Sequence, residues 1–260
     1  NKLELFDFSL DLTKSYTFWS SLIGGIFIAA STHGTDQLFV QRYLCARSQA
    51  DASRALIWSG VIVLFQFGFL LILGVMLWVY YTNYETTLLA GIVTEGQIQT
   101  DRVFPHFITT QLPVGFRGLL IAAIVAAGMS TLSSSLNSSA ASTVGDFYLT
   151  FTGEHRSPQH NLRVSKWITV GWALVQFLVA LTAIGLSRSV VDEVLGIQSL
   201  TGGLLLAAFG LGLLKMQVPS KALIVGLSLG AVFLFFTRIF TDISWQWYAL
   251  IGCLTTYTTT

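Results

Sequence analysis

The feature that most constrains this chain is a series of apolar stretches of membrane-spanning length, with little sequence between them. Seven such stretches run over about 17–44, 55–81, 117–148, 165–187, 190–214, 220–238 and 244–260. A hydrocarbon core about 30 Å thick is crossed by about 20 apolar residues in a helix. In lipid the backbone must satisfy its own polar groups, which the α-helix does within one segment. The stretches therefore predict an all-α, multi-pass integral membrane protein. Proline placement agrees: Pro105, Pro113, Pro158 and Pro219 all fall between stretches. Only 10% of the 260 residues are charged, against roughly a quarter in soluble domains. A net charge of +1 without a basic cluster argues against nucleic acid as a partner. The lipid bilayer is the partner that the pattern demands.

Charge in alternate loops gives an orientation. One set of loops holds Arg42, Arg47, Arg54, Arg156, Arg163, Lys166, Lys215 and Lys221 against Asp36, Asp51, Asp146 and Glu154, and sums to +4. The other sums to −3. The first set is expected inside and the start of the chain outside, with Trp78, Trp167, Trp245 and Trp247 near span ends as interfacial aromatics. The loop 82–116 is too long for a simple connection. Its RVFPHFITTQLPVGF has a helical apolar rhythm that predicts a short external helix. The chain opens on NKLELFDF and stops directly after an apolar run, which reads as a piece of a longer protein. Cys45 and Cys253 lie in or beside apolar stretches and imply no disulfide framework.

The third stretch carries an anomaly. In AAGMSTLSSSLNSSAAST, residues 126–143, nine of eighteen residues are Ser or Thr. Such hydroxyls can bond back to the carbonyl one turn earlier, so they are tolerated in lipid. Small residues also let helices pack closely. Helical spacing adds a second reading, because Ala127, Ser130, Thr131 and Ser134 share one face. Two hydroxyls and a carbonyl make a cluster of hard oxygen donors suited to Na⁺. One helix cannot complete that shell. Carbonyls from an unwound segment of another helix would have to join it, as at transporter ion sites.

These residues, with HGTDQLFVQRYLCARSQADASRA upstream and FPHFITTQLPVGFRGLL before the serine run, resemble the sodium/solute symporter family. The resemblance covers essentially the whole chain and implies a LeuT-like core of two inverted five-helix repeats. The fragment would hold the second repeat, core helices 6 to 10, and two peripheral helices. It implies a Na⁺ site using the Ala127 carbonyl, Ser130 and Thr131. A second Na⁺ site at Ser133 and Ser134 would need an Asp from upstream. It also implies a midplane site for a small organic solute.

The first stretch would contribute to that solute site through Ser31, Thr32 and His33, with Gly34 suiting a local break in the helix. Gln66 and Gln198 are further candidate contacts. Family members that carry sugars use an Asn and a Lys near the positions of Ala29 and Val63, so a sugar held in that mode is disfavoured. Asp36, Gln37, Arg42 and Asp146 are candidate structural or gating groups near the inner ends.

The implied activity is import of a small organic solute coupled to Na⁺ by alternating access, across the plasma (inner) membrane. Two alternatives remain at this level: a symporter-like sensor fused to a signalling domain, and a Na⁺-independent uniporter. No constellation of catalytic residues suggests an enzyme.

Overall fold

The structure is a computed structural model, and it describes residues 6–83, 93–94, 97–153, 157–183, 190–214 and 218–260. Its elements in order are a π-helical turn (Ser20–Gly24), α1 (Gly25–Thr35), α2 (Gln37–Leu44) and α3 (Gln49–Asn83). A two-residue hairpin, β1 (Val93–Thr94) and β2 (Gln97–Ile98), pairs Val93 with Ile98 antiparallel. Next come α4 (Thr100–Gln111), α5 (Val114–Ser142), a π-helical stretch (Thr143–Leu149) and α6 (Thr150–Thr152). The chain continues with α7 (Pro158–Ala183), α8 (Val190–Leu213), α9 (Ser220–Phe240), a 3₁₀ turn (Trp245–Trp247) and α10 (Tyr248–Thr259).

Among the described residues, five helices are long and apolar enough to cross a membrane: Gln49–Asn83, Val114–Thr152, Pro158–Thr182, Val190–Leu213 and Ser220–Phe240. They correspond to five of the seven expected stretches, most of them starting or ending a few residues further out. The helix from Gln49 starts six residues before the expected 55, on a Ser48 hydroxyl that accepts from Asp51 N. Proline sets other boundaries. Pro158 opens α7, and Pro113 and Pro219 cap α5 and α9, positions where a missing N–H costs nothing. The α5 rod runs on through the π-helical stretch and ends at Gly153, whose φ of 75° terminates a helix without strain. The expected end of the fourth stretch and much of loop 82–116 lie outside the described residues. The predicted short helix in that loop is α4, fastened by Tyr81, whose hydroxyl meets His106 Nδ1 at 3.1 Å.

The other two stretches differ from expectation. The first, 17–44, is broken into α1 and α2. The last, 244–260, folds as a 3₁₀ turn and a 12-residue helix. The break also sits later than Gly34. The helix continues through Gly34, and the hydroxyls on either side fold back onto it, Ser31 Oγ donating to Ile28 O at 2.9 Å and Thr35 Oγ1 to Ser31 O at 2.8 Å. Asp36 then turns extended, with ψ of 117°, and its carboxylate accepts from Leu38 N at 2.9 Å to start α2. Asp is among the strongest N-caps, and it decides the position of the break.

The chain divides into two compact units, residues 1–45 with 188–260, and residues 46–187. In the first, α8 is packed against α1 and α10, and α10 against α9. Close approach requires glycine here: a Cβ on Gly203 would lie 2.4 Å from the Ala249 carbonyl oxygen. Small residues at such crossings are what membrane helix packing selects. In the second unit α7 packs along α5.

Candidate functional site

In the second unit, α5 brings the expected oxygen donors onto one strip. Thr131 Oγ1 donates to Ala127 O at 3.2 Å, and Ser134 Oγ donates to Ser130 O at 3.1 Å. Each hydroxyl proton is thus satisfied one turn back, leaving oxygen lone pairs to face outward. Ala127, Ser130, Thr131 and Ser133 are exposed and Ser134 is half-buried. The later serines do something else. Ser135 Oγ accepts from Gln176 Nε2 of α7 at 3.1 Å, and Thr143 Oγ1 accepts from Trp172 Nε1 at 2.9 Å. Ser138 is buried. The run therefore divides by helical phase into an open oxygen strip and a packing face. Gln66 stands exposed on α3, and Asp146 exposed in the π-helical stretch after α5.

In the first unit, α1 and α8 meet at the expected solute residues. Gln198 Nε2 donates to Thr32 Oγ1 at 2.7 Å. Ser31 is 2% exposed, and its bond to Ile28 O makes it a packing residue beneath this pair. A Cβ on Gly202 of α8 would lie 2.5 Å from Ser31 Oγ, so the helices touch there. His33 is engaged elsewhere. Its Nδ1 lies 2.6 Å from Tyr43 OH, and its ring stands edge-on to Phe39 at 5.3 Å. It clasps α1 to α2 across the break rather than presenting that nitrogen to a cavity. Asp36 is the N-cap of α2, Gln37 its first residue, and Arg42 lies exposed in its last turn, where a cation complements the helix dipole.

Sequence reasoning missed a polar cluster at the start of α8. Asp192 accepts from Tyr16 OH and, at 3.1 Å, from Trp245 Nε1. Glu193 pairs with Arg238 at 3.0 Å. Asp192, Glu193, Arg238 and Trp245 edge an open cavity of about 610 Å³ with Ser15 and Asp242. Burial and the adjacent Asp192 carboxylate push the Tyr16 phenol up to about 12. The available signal was spacing: Asp192, Gly196, Ser199 and Gly203 fall on one face of α8.

A broken helix with a polar run beside the break, and a second helix with a strip of hard oxygens, lie among membrane-length helices. That is the architecture of a secondary transporter. The chain belongs to the Sodium:solute symporter family, whose profile matches residues 4–233. It is 29% identical over 234 residues to the sodium/sialic acid symporter SiaT of Proteus mirabilis, covering 90% of this chain and 46% of that protein. It is 27% identical over 246 residues to the bovine sodium-coupled monocarboxylate transporter 2, covering 92% of this chain and 38% of that protein. Among solved structures, the substrate-bound, outward-open state of a Na⁺-coupled sialic acid symporter superposes with a TM-score of 0.79 at 27% identity. The match covers 96% of this chain and 50% of the other. The fold is thus the LeuT-like fold of that symporter. The chain spans half or less of the length of these relatives.

Proposed function

We propose that this chain is part of a Na⁺-coupled symporter that imports a small, carboxylate-bearing organic solute by alternating access across the plasma (inner) membrane. Sodium is a co-substrate in this reading, carried down its gradient, and not a resident cofactor. The observation that carries the proposal is the exposed pair of Ser130 and Thr131 hydroxyls on α5, beside the Ala127 carbonyl that accepts from Thr131, in a chain of this family. Ser133 and Ser134 border it and would serve a second ion. In this reading the broken pair α1–α2 is a sixth membrane crossing and the segment ending in α10 enters the membrane as part of a seventh.

Thr32 and Gln198 are the solute contacts in this reading. The Gln198 amide has two N–H donors and its bond to Thr32 uses one. The other N–H and the Thr32 hydroxyl suit acceptor oxygens of the kind a carboxylate offers. Sialic acid and monocarboxylates, for which the relatives are named, both bear one. Ala29 and Val63 still argue against a neutral sugar held through side-chain amide and ammonium groups at those positions. Ser31 supports the pair from beneath, and His33 braces the break.

Coupling is a difference in Na⁺ affinity between outward- and inward-open states. One charge crossing 100 mV is worth about 2.3 kcal/mol, which provides the drive. Arg42 and Asp146 stand at the expected inner ends as gating groups.

The test is uptake in proteoliposomes of the full-length protein, with and without a Na⁺ gradient. Ser130→Ala with Thr131→Ala should abolish Na⁺-driven uptake in a folded protein. Uptake that ignores Na⁺ in the wild type would make it a uniporter. Solute binding without any uptake would point to a sensor. Unaltered Na⁺ dependence in the double variant would remove these oxygens from the ion site.

A further inference from the structure

The start of α8 is held by donors from three separate segments. Tyr16, ahead of α1, and Trp245, ahead of α10, both donate to Asp192, while Arg238 of α9 pairs with Glu193. Acidic residues in a first helical turn are favoured by the helix dipole alone. The dipole does not explain why Tyr16 adopts a φ of 61° to reach one of them. Among the described residues it is the one non-glycine with positive φ, a conformation that bulky side chains adopt at a cost. The chain is fixed immediately afterwards by reciprocal caps: Thr17 N donates to Ser20 Oγ at 3.0 Å, and Ser20 N to Thr17 Oγ1 at 3.2 Å. The Tyr16 ring also meets Trp245 edge-on at 6.0 Å.

From that anchor a single face of α8 is fastened along its length. Trp245 donates through its side chain to Asp192, and its carbonyl accepts from Ser199 Oγ at 2.9 Å. The same hydroxyl accepts from Ala249 N at 2.9 Å, and Gly203 sits against the Ala249 backbone. Asp192, Ser199 and Gly203, spaced seven and four apart, lie on one stripe. Gln198 and Gly202 lie on the adjacent stripe, facing Thr32 and Ser31 of α1. A helix that slides by one residue moves about 1.5 Å along its axis and turns by about 100°. A turn of that size would carry Gln198 off Thr32.

We propose that Asp192, held by Tyr16 and Trp245, is a positioning residue that sets the register of α8 so that Gln198 and Thr32 form one solute-binding pair. Asp192 stands about 9 Å along the helix from Gln198 and acts only through it. The proposal rests on the reading of Thr32 and Gln198 as solute contacts. Tyr16 stays a donor throughout the physiological range, and Asp192 has two such donors to lose.

The experiment uses the full-length protein with spin labels at Ile26 of α1 and Leu205 of α8, both exposed here, and uptake of sialic acid and lactate as probes. Asp192→Ala should broaden the label-to-label distance and raise KM about tenfold, the usual scale for losing a charge-assisted hydrogen bond. Turnover at saturating solute should stay within about twofold of wild type. Asp192→Asn, which keeps an acceptor oxygen, should restore most of the KM. Tyr16→Phe, lacking one hydroxyl, should give a smaller rise and carries the test if Asp192→Ala fails to fold.

An unchanged distance in either variant overturns the proposal whatever the solute. So does a fall in turnover at constant KM, which would make Asp192 a gate. Gln198→Ala separates the two levels. If it raises KM while Asp192→Ala does not, the positioning role falls and the solute site stands. If Gln198→Ala leaves KM unchanged, the solute-site reading itself falls.

Discussion

The close approach of α8 to α1 at Gly202 tests how these helices are joined. A Cβ placed on Gly202 would lie 2.5 Å from Ser31 Oγ and 3.0 Å from Ser31 Cβ. The Ser31 hydroxyl can turn aside but its Cβ cannot, so Gly202→Ala must rotate the one and push the helices apart locally by a few tenths of an ångström. Overpacking of this kind costs about 1–3 kcal/mol, partly offset by the roughly 1 kcal/mol that alanine gains over glycine in a helix. The Gln198–Thr32 bond, 2.7 Å long and four residues away, would stretch with it. Moving the small residue to the other helix should relieve the clash. In Gly202→Ala with Ser31→Gly the clash is gone, the propensity gain in α8 offsets a smaller propensity loss and the lost Ser31 side chain in α1, and the net change should return close to zero. The two substitutions should therefore couple by about 1–3 kcal/mol in a double-mutant cycle. Thermal unfolding of the purified full-length protein, with solute KM measured in parallel, reads both effects. A harmless Gly202→Ala, or a double variant no better than the worse single one, would refute the contact and the helix register built on it.

Three further outcomes follow from separate contacts. Asp36→Ala removes the N-cap of α2 and should cost about 1 kcal/mol, while Asp36→Ser or Asp36→Asn should cost a few tenths; thermal midpoints of the three variants check the order. Gln176→Ala with Ser135→Ala should show a coupling of about 0.6 kcal/mol, the usual size of a hydrogen bond between membrane helices, whereas Gln176→Ala with Ser130→Ala should show none. The Tyr16 phenol has its folded pKa raised, chiefly by burial and then by Asp192, from 10.0 to about 12. Its contribution to stability is therefore complete below pH 10 and disappears as pH rises through 12. Absorbance titration should show one late-ionising tyrosine that Tyr16→Phe removes, and an early-ionising Tyr16 would contradict its bond to Asp192.

What was legible in the sequence is what lipid dictates. Bilayer thickness sets helix length, and the cost of unpaired backbone groups sets helix continuity, so five spans read directly from runs of apolar residues. The break in the first stretch was legible in kind but misplaced. Glycine suggested Gly34, yet the helix runs through it, and the stronger local signal was a capping Asp two residues on. The His33 clasp to Tyr43 was beyond reach, because it joins residues ten apart across a break whose geometry only the fold supplies. The same holds for Asp192. Two acids at a helix start look like a solvated end, and only tertiary structure reveals that Tyr16, Trp245 and Arg238 converge on them.

The serine-rich helix shows why composition alone left its reading open. Every hydroxyl there can donate to a carbonyl one turn back, and the difference lies in what the oxygen then accepts. On Ser135 and Thr143 the acceptor sites are taken by Gln176 and Trp172 of α7, so those oxygens serve packing. On Thr131 and Ser134 the proton is directed into the helix at 3.2 and 3.1 Å, and the lone pairs point away from it. A cation requires oxygens with their protons turned away. The ion-site reading therefore rests on the direction of these hydroxyl bonds more than on the number of serines. Restoring a hydroxyl at position 131 as Thr131→Ser should preserve Na⁺ dependence, whereas the near-isosteric Thr131→Val should lose it.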